Sequence, residues 1–232
     1  MMYEGGELAL FAEARQWKTT LHRLLAPFLG KNVLEVGAGI GATTAHLCGN
    51  RQARWICLEP DPRLAAAIDS KIEQAMLPKC CTVIAGTLGD LAATDRYDTV
   101  LYIDVLEHIA DDAGELAAAA AHLLAGGHLI VVAPAHPILT SPFDREVGHF
   151  RRYTAPALRR LSPRDCVAVT LFYADSLGLF LSLANRLLLR RNLPTAGQIQ
   201  IWDRLVVPLS RLFDRLTGRR LGKTVIAVWR HR

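Results

Sequence analysis

Val33-Leu34-Glu35-Val36-Gly37-Ala38-Gly39-Ile40-Gly41-Ala42-Thr43-Thr44 reads as a buried strand that stops at a glycine-rich turn and passes straight into a helix. Such a turn lets backbone N–H groups and a helix N-terminus approach a ligand closely, because glycine has no Cβ to obstruct contact. The spacing is Gly-x-Gly-x-Gly, not the Gly-x-Gly-x-x-Gly of dinucleotide binding. An acidic residue, Glu35, sits just ahead of the turn.

Working outward, strand and helix signals alternate through the first two-thirds of the chain. A helix over 8–29 is ended by Pro27 and Gly30, and Asn32–Val36 is the first strand, followed by a helix from Ala42. Strands over 53–58, 81–84, 99–103 and 128–133 follow, with helices over 62–75 and 113–124 between them. This spacing predicts βαβ units: an α/β fold with a mostly parallel sheet and helices on both faces. A short helix over 155–161 has Thr154 as its N-cap, and 166–173 and 224–229 read as β-branched strands. Between the last two lies a long segment of helical pattern over 174–223.

The 232 residues are 51% hydrophobic and 21% charged, enough apolar material for one large core, which excludes global disorder. The N-terminus has Glu4, Glu7 and Glu13 and no basic segment, so no signal peptide is expected. No stretch reaches about 18 uninterrupted apolar residues. Cys48, Cys57, Cys80, Cys81 and Cys166 show no Cys-x-x-Cys spacing, which argues against a zinc site or disulfide framework and for a reducing cytoplasm. The net charge of +5 is concentrated late: from Arg186 onward eleven Lys and Arg face only Asp203 and Asp214. A basic tail of this kind suits a phosphate-bearing lipid surface, an acidic carrier protein or nucleic acid, or is simply a solvated face.

In doubly wound sheets, ligands sit at the carboxyl ends of the strands. The second strand ends Leu58-Glu59-Pro60-Asp61, where a carboxylate can accept from both hydroxyls of a ribose. The third leads into Gly86-Thr87-Leu88-Gly89-Asp90, and the fourth into Tyr97-Asp98-Thr99-Val100-Leu101-Tyr102-Ile103-Asp104-Val105-Leu106-Glu107-His108-Ile109. The glycine-rich turn and the Val-Leu-Glu-His segment, in this order, resemble two motifs of the class I S-adenosylmethionine-dependent methyltransferases. The likeness is to the branch that includes ubiquinone-type O-methyltransferases. It covers about 32–154 by sequence and the remainder by architecture.

The resemblance implies a Rossmann-like seven-stranded methyltransferase sheet whose last strand inserts antiparallel. The single domain then divides into an N-terminal helical cap (1–30), a cofactor-binding core (31–173), a helical lid or insertion (174–223) and a final strand (224–232). It implies S-adenosylmethionine as cofactor and S-adenosylhomocysteine as product. Glu35, Gly37, Gly39, Gly41, Glu59, Pro60, Thr87, Leu88, Asp104 and Val105 are the implied cofactor contacts.

The segment after the fifth strand carries His136 and Gly148-His149-Phe150-Arg151-Arg152-Tyr153, similar to a Gly-His-x-Arg-Arg-Tyr signature of bacterial methyltransferases. A hydroxyl acceptor must lose a proton, and imidazole titrates near neutrality, so His149 is the first candidate base and His108 the second. His136, Arg151, Arg152 and Tyr153 are candidate substrate contacts, the arginines either gripping an anionic group or pairing with Asp144 and Glu146. In metal-dependent relatives a Glu-His cluster with a later histidine binds a divalent ion, which points to Glu107, His108 and His149.

Leu177 to Leu189 is very apolar, and Trp202, Leu205, Val206, Leu209, Leu212 and Phe213 repeat with helical spacing around a kink at Pro208. Over 177–216 this suits an apolar lid, a homodimer interface, a peripheral contact with the inner membrane surface, or plain core packing. The expected acceptor is a hydrophobic or carrier-bound small molecule. Metal-assisted RNA 2′-O-methylation and a non-catalytic cofactor-binding partner protein are the alternatives.

Overall fold

A computed structural model of the chain describes residues 6–184 and 195–232. Arg186, Arg190 and Arg191 of the basic tail, with the last five residues of the apolar run (185–189), lie outside the described residues. In chain order the helices are α1 (Gly6–Ala12), α2 (Arg15–Leu25), α3 (Thr44–Leu47), α4 (Pro62–Glu73), α5 (Asp112–Ala121), α6 (Pro142–Glu146), α7 (Ala155–Arg160), α8 (Ser176–Ala184), α9 (Ala196–Ile201) and α10 (Val207–Leu216). The strands are β1 (Asn32–Val36), β2 (Arg54–Glu59), β3 (Cys81–Ala85), β4 (Tyr97–Ile103), β5 (Leu123–Pro134), β6 (Cys166–Ala174) and β7 (Thr224–His231). They form one seven-stranded sheet in the order β3-β2-β1-β4-β5-β7-β6. β1 to β5 pair in parallel, and β7 runs antiparallel to both of its neighbours.

The central strands are apolar on both sides because both sides are covered. Leu34, Ile56, Leu58, Tyr102, Leu129 and Val131 pack on one face against Leu116 of α5 and Leu158 of α7. Val33, Trp55, Cys57, Leu101, Ile130 and Val228 pack on the other against Trp17, Leu21 and Leu25 of α2 and Ile68 of α4. Strand order reverses between β1 and β4, so their carboxyl ends open a crevice beside the Gly37–Gly41 turn.

Four expectations change. The opening helix is broken at Glu13 and Ala14, where Lys18 Nζ donates to the carbonyls of Phe11 and Ala12 at 2.6 and 2.9 Å and thereby caps α1. The helix after the glycine turn lasts only one turn, since Cys48 is already extended and Gly49 N–H turns back to the Gln52 side chain. The kink near Pro208 is a π-helical turn over Trp202–Val206, upstream of a proline that has no N–H to continue the regular ladder. Three cysteines without metal-type spacing nevertheless converge: Cys48 Sγ lies 3.4 Å from Cys80 Sγ and 3.6 Å from Cys81 Sγ. The β2–β3 crossover, not local sequence spacing, brings them together, and all five cysteines are free thiols.

Candidate active site

Gly37, Gly39 and Gly41 all adopt positive φ, at 68°, 59° and 72°. A Cβ on Gly37 would lie 2.6 Å from Val105 Cγ2, so the residue after β4 closes directly on the turn after β1. Glu59, at the end of β2, reaches into the same turn. Its Oε2 accepts from Gly39 N–H at 2.8 Å and its Oε1 from Asp61 N–H at 3.0 Å. Burial pushes its carboxyl up, against the pull of those two hydrogen bonds. Pro60 is exposed beside it, and Leu8 of α1 lies over Gly39.

Glu35 stands behind the turn. It is buried, and its Oε2 accepts from Thr44 Oγ1 at 2.6 Å and Trp55 Nε1 at 2.8 Å, tying α3 and β2 to β1. Burial raises its carboxyl to about 7, although both donors pull the other way. Thr87 is exposed after β3 and shares a capping box with Asp90, whose Oδ2 accepts from its N–H and hydroxyl. Leu88 is buried in the core, because the turn that follows β3 directs it inward.

Asp104 follows β4 with φ 54°, a strained setting for a non-glycine residue, and its side chain is open to the crevice. Lys223, Arg152 and Lys18 supply positive charge around it, while its deep position raises its carboxyl. Burial lowers the ammonium of Lys18 to about 8. Two residues beyond Val105, Glu107 is fully buried, and neither carboxylate oxygen has a hydrogen-bond partner. Burial, and then the nearby Asp104, hold its carboxyl well above the ordinary range.

Helix α6 supplies the group that organises this region. Asp144 is 1% exposed; its Oδ2 accepts from Ser141 N–H and hydroxyl, and its Oδ1 from His149 Nδ1 at 2.9 Å and Arg152 Nε at 2.8 Å. Burial opposes ionisation, but the hydrogen bonds from His149, Arg152 and Ser141 together hold its carboxyl well below the usual range. An ionised Asp144 requires the proton on Nδ1 of a neutral His149, so Nε2 carries the lone pair. That Nε2 lies 3.9 Å from Glu107 Oε1, and the His108 ring meets His149 edge-on at 4.6 Å.

A family model described as a methyltransferase domain matches residues 10–164, which span β1 to β5 and the crevice just described apart from Leu8 and Lys223. The chain belongs to this methyltransferase-domain family. A demethylmenaquinone methyltransferase of Tropheryma whipplei (strain Twist) is 28% identical over 169 residues, 72% of this chain and 67% of that protein. Among solved structures, the N-methyltransferase NodS from Bradyrhizobium japonicum WM9, in complex with S-adenosyl-L-homocysteine, is similar with a TM-score of 0.59 at 16% identity. The match covers 94% of this chain and 86% of that one. A geranyl diphosphate methyltransferase in complex with SAM has a TM-score of 0.63 at 13% identity, over 99% and 91% of the two chains.

Within this methyltransferase domain, the residues expected from sequence do not all meet. Gly37, Gly39, Gly41, Glu59, Asp104 and Val105 gather at the crevice, and His149, His108, Glu107 and Arg152 adjoin it. Tyr153 does not: it is buried, and its hydroxyl donates to Asp112 and the Leu106 carbonyl. Arg151 pairs with Asp112 at 2.6 Å, because the extended backbone of 150–153 alternates its side chains and turns this one toward α5. Arg152 takes the Asp144 pairing, not Glu146. His136, at φ 62°, stacks flat on Tyr173 at 4.9 Å. Missed altogether were Asp144 as the partner of His149 and Lys18 as a charge near Asp104; neither carries a motif.

Proposed function

We propose that this methyltransferase domain moves the methyl group of S-adenosylmethionine to an oxygen of a hydrophobic or carrier-bound small molecule, with His149 removing the acceptor's proton. The cofactor supplies an electrophilic methyl group on a sulfonium. The residues present suit it: three positive-φ glycines form a cradle that a Cβ at Gly37 would fill, and Glu59 and Asp104 place carboxylates on either side. Methyl transfer needs the acceptor aligned and, for a hydroxyl, deprotonated. Asp144 fixes the tautomer and orientation of His149, leaving Nε2 as the base; this dyad is the observation that carries the reading. The named acceptor of the Tropheryma relative is a small molecule, in keeping with the proposed class.

A second reading has one observation in its favour. Glu107, His108 and His149 offer ligand atoms within 4.8 Å of one another, and the unpartnered Glu107 carboxylate is what a divalent cation would satisfy. The donor set is suitable, with Asp144 orienting His149 from behind. A cation there would occupy Nε2, so the two readings exclude each other at that atom; metal-assisted 2′-O-methylation of RNA belongs to this second reading.

Calorimetry with S-adenosylmethionine, S-adenosylhomocysteine and NAD tests the donor: binding of the first two is expected, and binding of NAD alone would sink the proposal. His149→Ala is expected to lower turnover about 10²–10⁴-fold with donor affinity unchanged. Turnover that survives this change, or that requires an added divalent ion, would remove His149 as the base.

A further inference from the structure

The π turn over Trp202–Val206 and helix α10 bury their polar side and expose their apolar side, the reverse of an ordinary surface helix. Asp203, Ser210 and Asp214, with Val207, face inward. The Asp203 carboxylate accepts from the N–H groups of Gln16 and Trp17 at the N-terminus of α2. Asp214 accepts from those of Asp175 and Ser176 at the start of α8. Ser210 donates to Asp175 and accepts from Leu177 N–H. These bonds determine which side points outward. Ile201, Leu205, Leu209, Leu212, Phe213 and Leu216 are left between 44% and 74% exposed.

Arginines run beside this apolar stripe. Arg204 and Arg215 are exposed on the same segment and Arg220 just beyond it, and none forms an ion pair among the described residues. The only acids of the segment are the two that are buried. We infer that this face docks on an anionic phospholipid bilayer, its leucines entering the interface and its arginines meeting lipid phosphates. No helix among the described residues is long and apolar enough to cross a membrane, so the contact is one of lying on the surface. Charge argues against a second copy as the occupant. A two-fold contact sets the same patch against itself, and here it would bring arginine rows together with no exposed acid to receive them. Anionic headgroups supply that missing counter-charge.

Flotation of the full chain with vesicles tests this, using phosphatidylcholine alone or mixed with phosphatidylglycerol. Binding to the mixed vesicles is expected, with little to phosphatidylcholine alone, and weakening as salt rises. Arg204→Glu/Arg215→Glu is expected to lower the partition at least about ten-fold, and Leu209→Ser/Leu212→Ser by a similar factor. All four side chains are exposed, so an unchanged melting temperature confirms that both variants fold. Absence of flotation with mixed vesicles, or equal flotation of the variants, would overturn the inference. So would sedimentation equilibrium showing a dimer that Leu209→Ser/Leu212→Ser dissociates, which would give the face to a second copy.

Discussion

Glu35 shows how one residue joins the sheet to the cofactor turn. Its carboxyl is pushed up to about 7 by burial, so over part of the acid range the folded chain holds a proton that the unfolded chain has released. Stability from this group is therefore greatest below the unfolded pKa. It falls as pH rises through the window from about 4.5 to about 7 and is level above it, a loss on the order of 3 kcal/mol. Glu35→Gln keeps an acceptor for Thr44 and Trp55 and removes the titration. Urea unfolding at pH 5 and pH 8 is expected to show a smaller loss for the variant than for the native chain; parallel pH dependence would refute it. The acid before the glycine turn is plain in the sequence, but its attachment to Thr44 and Trp55 is not, because β2 delivers Trp55 from another part of the chain. His149 is similar. Its residue type and neighbours suggest a base, whereas its tautomer depends on Asp144, buried by the fold of α6.

At the scale of elements, the insertion is held by caps supplied from a distance. Ala14, the N-cap of α2, has no acceptor of its own, and Asp203 takes its place from across the molecule. Asp203→Ala is expected to destabilise the chain by about 2 kcal/mol, at the upper end for a lost cap because the freed N–H groups are partly buried. Asp203→Asn, which retains one acceptor, is expected to lose less. Denaturant midpoints check the order, and an Asn variant as unstable as Ala would argue that charge matters more than the acceptor. All strands but β5 were legible to within a residue or two, because buried strands write continuous β-branched runs. β5 starts at Leu123, five residues ahead of the expected 128, where Leu123-Leu124-Ala125 reads equally as the end of a helix. The amphipathic pattern of 202–213 was legible as well. Its orientation was not, since periodicity records that one side differs from the other without recording which side the domain covers.

At the scale of the whole molecule, the crevice is made by pieces far apart in sequence: Leu8 of α1, the turns after β1 and β2, and the segments after β4 and β5. A ligand that bridges them binds only the folded chain and must raise its stability. S-adenosylhomocysteine at about 100 times its Kd is expected to raise the melting temperature by about 5–10 °C. Gly37→Ala, whose new Cβ would meet Val105, is expected to lose most of that shift while still unfolding cooperatively. An unchanged shift in the variant would place the donor elsewhere.

The sequence by itself determined the alternating α/β pattern, the glycine turn with its acids at the strand ends, and an amphipathic basic tail, because local propensity and periodicity are written along the chain. Tertiary structure alone decided that Asp144 orients His149, that Tyr153 and Arg151 turn away from the crevice, and that the tail shows its apolar side outward. Each of these depends on contacts between segments that only the closing of the sheet brings together, and burial and charge act on a side chain through those contacts.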